Sequence, residues 1–122
     1  MARPYVPARG DLVWLQSDPQ AGHEQAGRRP ALVLSPKEYN RRAGLALCCP
    51  ITSKVKGYPF EVPLPPGLDV KGAVLADQVK SLDWRSRKAS RLGVSPPEVL
   101  EETVAKVLIL VEPDASQSRR EG

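Results

Sequence analysis

The chain has 122 residues, 41% of them hydrophobic and 26% charged, with 18 Lys and Arg against 14 Asp and Glu for a net charge of +4. That length argues for one domain, 1–112 with a tail over 113–122, and the composition argues against a disordered chain. No apolar run approaches the ~20 residues of a membrane-spanning helix, and the modest positive balance suits an anionic partner without naming one.

The N-terminal MARPYVPARGD has no apolar core of a secretory signal, so the cytoplasm is the expected compartment. DLVWLQ (11–16) reads as a first short strand and ALVLS (31–35) as a second, each bounded by Gly, Pro or Asp. Between them GHEQAGRRP (22–30) packs a histidine, a carboxylate and two guanidiniums into nine positions. The ordinary reading of such a loop is solvated surface. Ser35-Pro36-Lys37-Glu38 has capping-box spacing and Gly44 is placed to end a turn, which predicts a short helix over 36–43. LALCCPIT (45–52) is a third strand. Its adjacent Cys48 and Cys49 point to opposite faces, cannot readily bridge, and behave as small buried hydrophobes of a reducing compartment. Further strands are expected at 60–64, at 73–82 with a break near Asp77, and at 90–95, separated by the turns KGYP and PLPPGLD. Ser95-Pro96-Pro97-Glu98 forms a second capping box, followed by Val99, Leu100, Val104, Val107, Leu108 and Val111 on one helical face. Glu98, Glu101 and Glu102 fall in its first turns, where the helix dipole favours negative charge. Beyond Pro113 the tail has no apolar anchor and is expected to fray. Short strands with turn punctuation and one amphipathic helix predict a mainly β protein with α: a small barrel carrying a C-terminal helix.

The chemistry narrows by subtraction. One histidine, no CxxC and no His/Cys/carboxylate cluster at ligand spacing argue against a catalytic metal, and no cofactor is expected. No GxSxG or GxxxxGK[ST] supports acyl transfer or nucleotide hydrolysis. RNA needs less, because its own 2′-hydroxyl attacks the neighbouring phosphorus and the protein supplies a base, charge stabilisation and a proton. Glu24 suits the first task and the Arg29 guanidinium, with its fixed fork, the second. In Pro50-Ile51-Thr52-Ser53-Lys54, hydroxyls and a cation emerge from a strand into a loop, suited to orienting a phosphate or, equally, to capping a turn. From Lys80 to Arg91 five basic residues, Lys80, Arg85, Arg87, Lys88 and Arg91, oppose only Asp83 and surround Trp84. Such a run is commonly solvated surface.

In order along the chain, YVPARGDLVWLQSDPQAGHEQAGRRPALVLSP, PITSKVKGYPFEV and ADQVKSLDWRSR resemble the MazF (PemK-like) toxins, the endoribonuclease half of bacterial type II toxin–antitoxin systems. The resemblance runs from about Tyr5 to Val111. It implies an SH3-like small barrel (MazF/CcdB/PemK-like) with a short helix after the second strand and an amphipathic C-terminal helix. It also implies a homodimer, without metal, that cuts single-stranded RNA at short sequences of mRNA, leaving a 2′,3′-cyclic phosphate and a 5′-hydroxyl and so arresting translation and growth. Residue by residue, Arg29 and Thr52 become the catalytic pair and Glu24 the assisting carboxylate. The RNA contacts expected beside them are Gln25, Arg28, Ser53, Lys54, Lys56, Gln78, Lys80, Arg85 and Arg87. His23 fills a position where other members can carry a small polar residue, and Lys71, in VPLPPGLDVKG, takes no assignment. Trp84 stays open between core packing and base stacking. The partners implied are RNA and a cognate acidic (MazE-like) antitoxin that folds as it binds. Two other functions are weighed against this one. A same-fold gyrase poison of the CcdB type presents a Trp-Gly-Ile ending, where this sequence ends Ser118-Arg119-Arg120-Glu121-Gly122. A plain RNA-binding barrel would bind in a salt-dependent way without cutting.

Overall fold

The structure, a computed structural model, describes residues 4–16 and 27–113. Among the described residues, seven strands and two helices follow one another as β1 (Asp11–Gln16), β2 (Arg28–Val33), α1 (Lys37–Ala43), β3 (Ala46–Thr52), β4 (Glu61–Pro63), β5 (Ala73–Leu75), β6 (Lys80–Leu82), β7 (Ser90–Val94) and α2 (Pro97–Val111), with a 3₁₀ turn at Ala76–Gln78 between β5 and β6. All pairings are antiparallel, in the order β4-β5-β3-β2-β1-β7, and β6 joins the edge of β3 that β5 also uses. The expected run over 73–82 is therefore one interrupted strand. Its pairing moves by three residues across the 3₁₀ turn, from Ile51↔Val74 to Cys48↔Lys80. The break near Asp77 turns Asp77 and Gln78 outward, both exposed.

The central strands read as unbroken apolar runs because both of their faces are covered. Alternate residues enter two separate cores. Leu12, Leu32, Leu34, Cys49 and Ile51 pack with Val62, Val74, Val99 and Val107 under α2. Val13, Leu15, Ala31, Val33, Ala46 and Cys48 pack on the other face with Trp84. Cys48 and Cys49 thus fall in different cores, and both are free thiols. Burial pushes each up to about 12, since an apolar surrounding disfavours the thiolate.

Asn40 joins the elements on the second face. Its side chain, fully buried, accepts from the Ser35 hydroxyl at 2.5 Å and donates to the carbonyls of Pro7 (2.8 Å) and Ser35 (3.0 Å). The Trp84 indole N–H donates to the Asn40 carbonyl at 2.9 Å, and Trp84 is 5% exposed. That geometry assigns Trp84 to the core.

Four expectations are corrected in detail. The second strand begins at Arg28 and ends at Val33, not 31–35, because β1 continues to Gln16 and pairs it with Arg28. Neither capping box forms: Pro36 and Pro96 occupy the N-cap positions with no side-chain cap. The Ser35 hydroxyl is taken by Asn40 and by the Leu47 N–H, and the Glu38 carboxylate by Arg41 and Arg42. Ser95 donates instead to the Pro96 carbonyl. On α2, Val99 and Val107 are buried and Leu100 and Val104 pack against the core, but Leu108 and Val111 are exposed. Thr103, a polar residue, is fully buried on the inner face, its hydroxyl satisfied by the Val99 carbonyl one turn back at 2.8 Å.

Candidate functional site

Continuing the β2–β3 register Ala31↔Pro50 by two residues sets Arg29 opposite Thr52, where the two strands end. Residues directly opposed in an antiparallel pair project to the same face. Both line one open cavity of about 520 Å³, together with Trp14, Arg28, Pro30, Ile51, Ser53, Lys54 and Asp69-Val70-Lys71. Four cations thus meet one carboxylate on its described walls, an environment selective for anions.

The two central side chains are held differently. Thr52 is half-buried at the last position of β3, and its Oγ1 accepts the Lys54 N–H at 3.0 Å. That bond caps the turn, so the structural role is real. It also occupies an acceptor direction on the oxygen and leaves the hydroxyl hydrogen to donate elsewhere. Arg29 is exposed and is shared with a second, smaller cavity of about 150 Å³ lined by Leu15, Gln16, Pro50, Lys80, Leu82 and Arg87. Arg87 Nη1 donates to the Gln16 carbonyl at 2.9 Å while Gln16 N–H donates to the Arg87 carbonyl at 2.8 Å, tying the end of β1 to the β6–β7 turn.

On the other side, Thr52 and Lys54 are shared with a third cavity of about 260 Å³ that includes Lys56, Tyr58, Phe60, Glu61, Asp77 and Gln78. Its rim is shaped by the buried Glu61 carboxylate, which accepts the N–H groups of Lys56 (3.1 Å) and Gly57 (2.8 Å) and so folds the 54–60 segment. The first cavity shares Arg29 with the second and Thr52 and Lys54 with the third, so the three lie side by side as a trough about these residues.

Of the residues singled out in the sequence, the structure brings Arg28, Arg29, Thr52, Ser53, Lys54, Lys56, Gln78, Lys80 and Arg87 to this trough. Arg85 lies apart from the three cavities: its guanidinium sits 4.8 Å from the Trp84 ring centroid and donates to the Arg41 carbonyl at 3.0 Å, bracing α1. Glu24, Gln25 and His23 lie outside the described residues, as does the tail from 114 onward. Among the described residues no group of three His, Cys, Asp or Glu could hold a metal ion. Sequence reasoning missed Trp14, which is half-buried and carries the Arg28 guanidinium 4.3 Å from its ring centroid. Its signal was hidden inside the apolar LVWL; only the register Trp14↔Pro30 reveals that Arg28 is its diagonal neighbour.

Residues 8–111 match the family model described as PemK-like, MazF-like toxin of type II toxin–antitoxin systems. The endoribonuclease toxin MazF of Escherichia coli (strain K12) is 51% identical over 111 residues, covering 91% of this chain and 99% of that protein. A MazF from Deinococcus radiodurans is similar in structure, with a TM-score of 0.80 and 59% identity over 89% of this chain and 99% of that one. A MazE–MazF complex from the same organism matches with a TM-score of 0.80 and 52% identity, over 90% and 99%.

Proposed function

Because the chain belongs to the PemK-like, MazF-like toxins of type II toxin–antitoxin systems, we propose that its trough holds single-stranded RNA and that Arg29 and Thr52 flank the phosphate that is cut. The chain is an endoribonuclease toxin with a cognate antitoxin, as its relatives' names favour over gyrase poisoning. The observation that supports the residue assignment is the shared cavity itself: two side chains from neighbouring strands, one cationic and one hydroxylic, open onto a single anion-selective space.

The reaction follows from what these groups offer. The ribose 2′-oxygen attacks phosphorus, the bond to the 5′-oxygen breaks, and the products are a 2′,3′-cyclic phosphate and a 5′-hydroxyl. Glu24 takes the 2′-hydroxyl proton as general base, and the departing 5′-oxygen takes its proton from solvent water. Arg29 grips the non-bridging oxygens with paired N–H donors as negative charge builds on them. Thr52, its acceptor side engaged by Lys54, donates its hydroxyl hydrogen to one of those oxygens. One such donor is worth about 10²–10³-fold and a positioned base about 10²–10⁴-fold. Lys54, Lys56, Lys80, Arg28 and Arg87 hold flanking phosphates, Gln25, Ser53 and Gln78 supply hydrogen bonds to bases or backbone, and Trp14 offers a stacking surface.

The reading includes a cytoplasmic homodimer. Leu108 and Val111 line an open apolar groove of about 640 Å³ with Leu34, Leu47, Leu100 and Val104, a surface suited to burial against a second copy. The test of the chemistry is direct. Purified chain with excess EDTA and a long single-stranded RNA should yield discrete fragments with 5′-hydroxyl ends, and Arg29→Ala should lose at least about 10²-fold in rate. Intact RNA with the parent protein, or an undiminished rate in the variant, would overturn it.

A further inference from the structure

The segment between β4 and β5, 64–72, supplies Asp69, Val70 and Lys71 to the wall of the cavity that Arg29 and Thr52 share. Three features fix it there. Val70 is 8% exposed and belongs to the core beneath α2. The Leu64 N–H donates to the Gly72 carbonyl at 2.9 Å, closing the neck of the segment. At Gly72 (φ +125°) the backbone passes so near β3 that a Cβ there would lie 1.9 Å from the Thr52 carbonyl oxygen. The chain is pinned on one side of Lys71 by a buried valine and on the other by a glycine pressed against the Thr52 peptide. Lys71 therefore does not sit on a loosely tethered loop.

The side chain itself is exposed and makes no ion pair among the described residues. Its ammonium is a compact point charge on a flexible stem, a group that suits a phosphate better than the edge of a base. We propose that Lys71 is an additional RNA-holding residue, contacting a backbone phosphate beside the one that Arg29 and Thr52 address. This rests on the RNA-cleaving reading above. It assigns Lys71 to affinity, with neither chemistry nor base choice depending on it, because phosphate contacts position the strand and carry no sequence information.

The experiment compares Lys71→Ala, Lys71→Arg and Lys71→Glu with the parent in steady-state cleavage of an RNA oligonucleotide that the parent cuts, at a series of KCl concentrations. For Lys71→Ala, KM at moderate salt should rise about two- to five-fold, while kcat and the map of cut positions stay the same. The slope of log KM against log salt should fall by about 0.7, the value of one phosphate contact to a single strand. Lys71→Arg should restore both KM and slope, and Lys71→Glu should raise KM beyond the alanine variant. An unchanged KM and slope in Lys71→Ala would overturn the proposal, as would a fall in kcat at constant KM or a shifted set of cut sites. If the parent protein leaves every RNA intact, the RNA reading itself fails, which is a separate result visible before any variant is made.

Discussion

Gly72 offers the sharpest test of how the site is built. Replacing it with alanine places a Cβ 1.9 Å from the Thr52 carbonyl oxygen and 2.8 Å from its carbon, at a φ of +125° that L-residues rarely adopt. Restoring an ordinary carbon–oxygen contact of about 3.3 Å requires the two strands to part by about 1.4 Å. Thr52 sits at the end of β3, paired with Ala73, so the displacement falls on the residue that also lines the cavity. Backbone strain at such a φ costs about 1–3 kcal/mol, and forcing extra volume into a packed position costs a further 1–3 kcal/mol or so. The control is Gly67→Ala, which has a similarly positive φ of +96° but nothing within 4 Å of its Cβ, so it carries only the conformational part. Urea unfolding should show Gly72→Ala less stable than Gly67→Ala by about 1–3 kcal/mol at equal m-value. Single-turnover RNA cleavage should fall about 10²-fold in Gly72→Ala alone, the usual penalty for about 1 Å of misplacement. If the two variants unfold and cleave alike, the claim that Gly72 seats Thr52 is wrong.

Other consequences are as direct. Asn40→Ala leaves the Ser35 hydroxyl and the Pro7 and Ser35 carbonyls short of a partner in the interior and should lower unfolding free energy by about 2–4 kcal/mol in urea titration. Trp84→Phe, which loses the indole bond to the Asn40 carbonyl, should lower the unfolding midpoint and leave KM for RNA unchanged. Trp14→Ala should instead raise KM about ten-fold or more if its face stacks on a base; equal effects of the two tryptophan changes on KM would contradict the division between core and trough. The buried thiols set an alkaline limit. Both ionise in the unfolded chain near the ordinary thiol value but stay protonated in the folded one until about 12. The native state therefore binds more protons in that window, and stability should fall as pH rises above about 9, by up to about 1.4 kcal/mol per pH unit for each thiol. A Cys48→Ala, Cys49→Ala double variant should show a shallower alkaline decline in unfolding midpoint against pH.

What the sequence made legible follows from the kind of signal each residue carries. DLVWLQ is β1 to the residue, and the break near Asp77 is present, because alternation and turn residues act locally. The opposed Cys48 and Cys49 followed from the two-residue period of a strand alone. The start of β2 was misplaced because arginines look like loop residues, and only their pairing with the far end of β1 makes them strand. The capping boxes failed for a related reason. Ser35 has the right spacing, but Asn40, five residues on, and Leu47, on the next strand, compete for its hydroxyl. At the site, the family motifs named Arg29 and Thr52, and their meeting depends on a register that no local pattern displays. Lys71 carried no signal, since its position depends on Val70 entering a core and Gly72 pressing on another strand.

The two central side chains of the trough stand on strands whose opposite faces are each committed to a separate core. Such strands tolerate little drift. The segments that bound the trough, around 53–60 and 64–72, instead meet the rest of the protein at a few anchors, Glu61, Val70 and Gly72, with exposed residues between. Evolution is thus offered a division of labour: substitutions in the rims can reshape what the trough admits, while the two side chains at its centre keep their places.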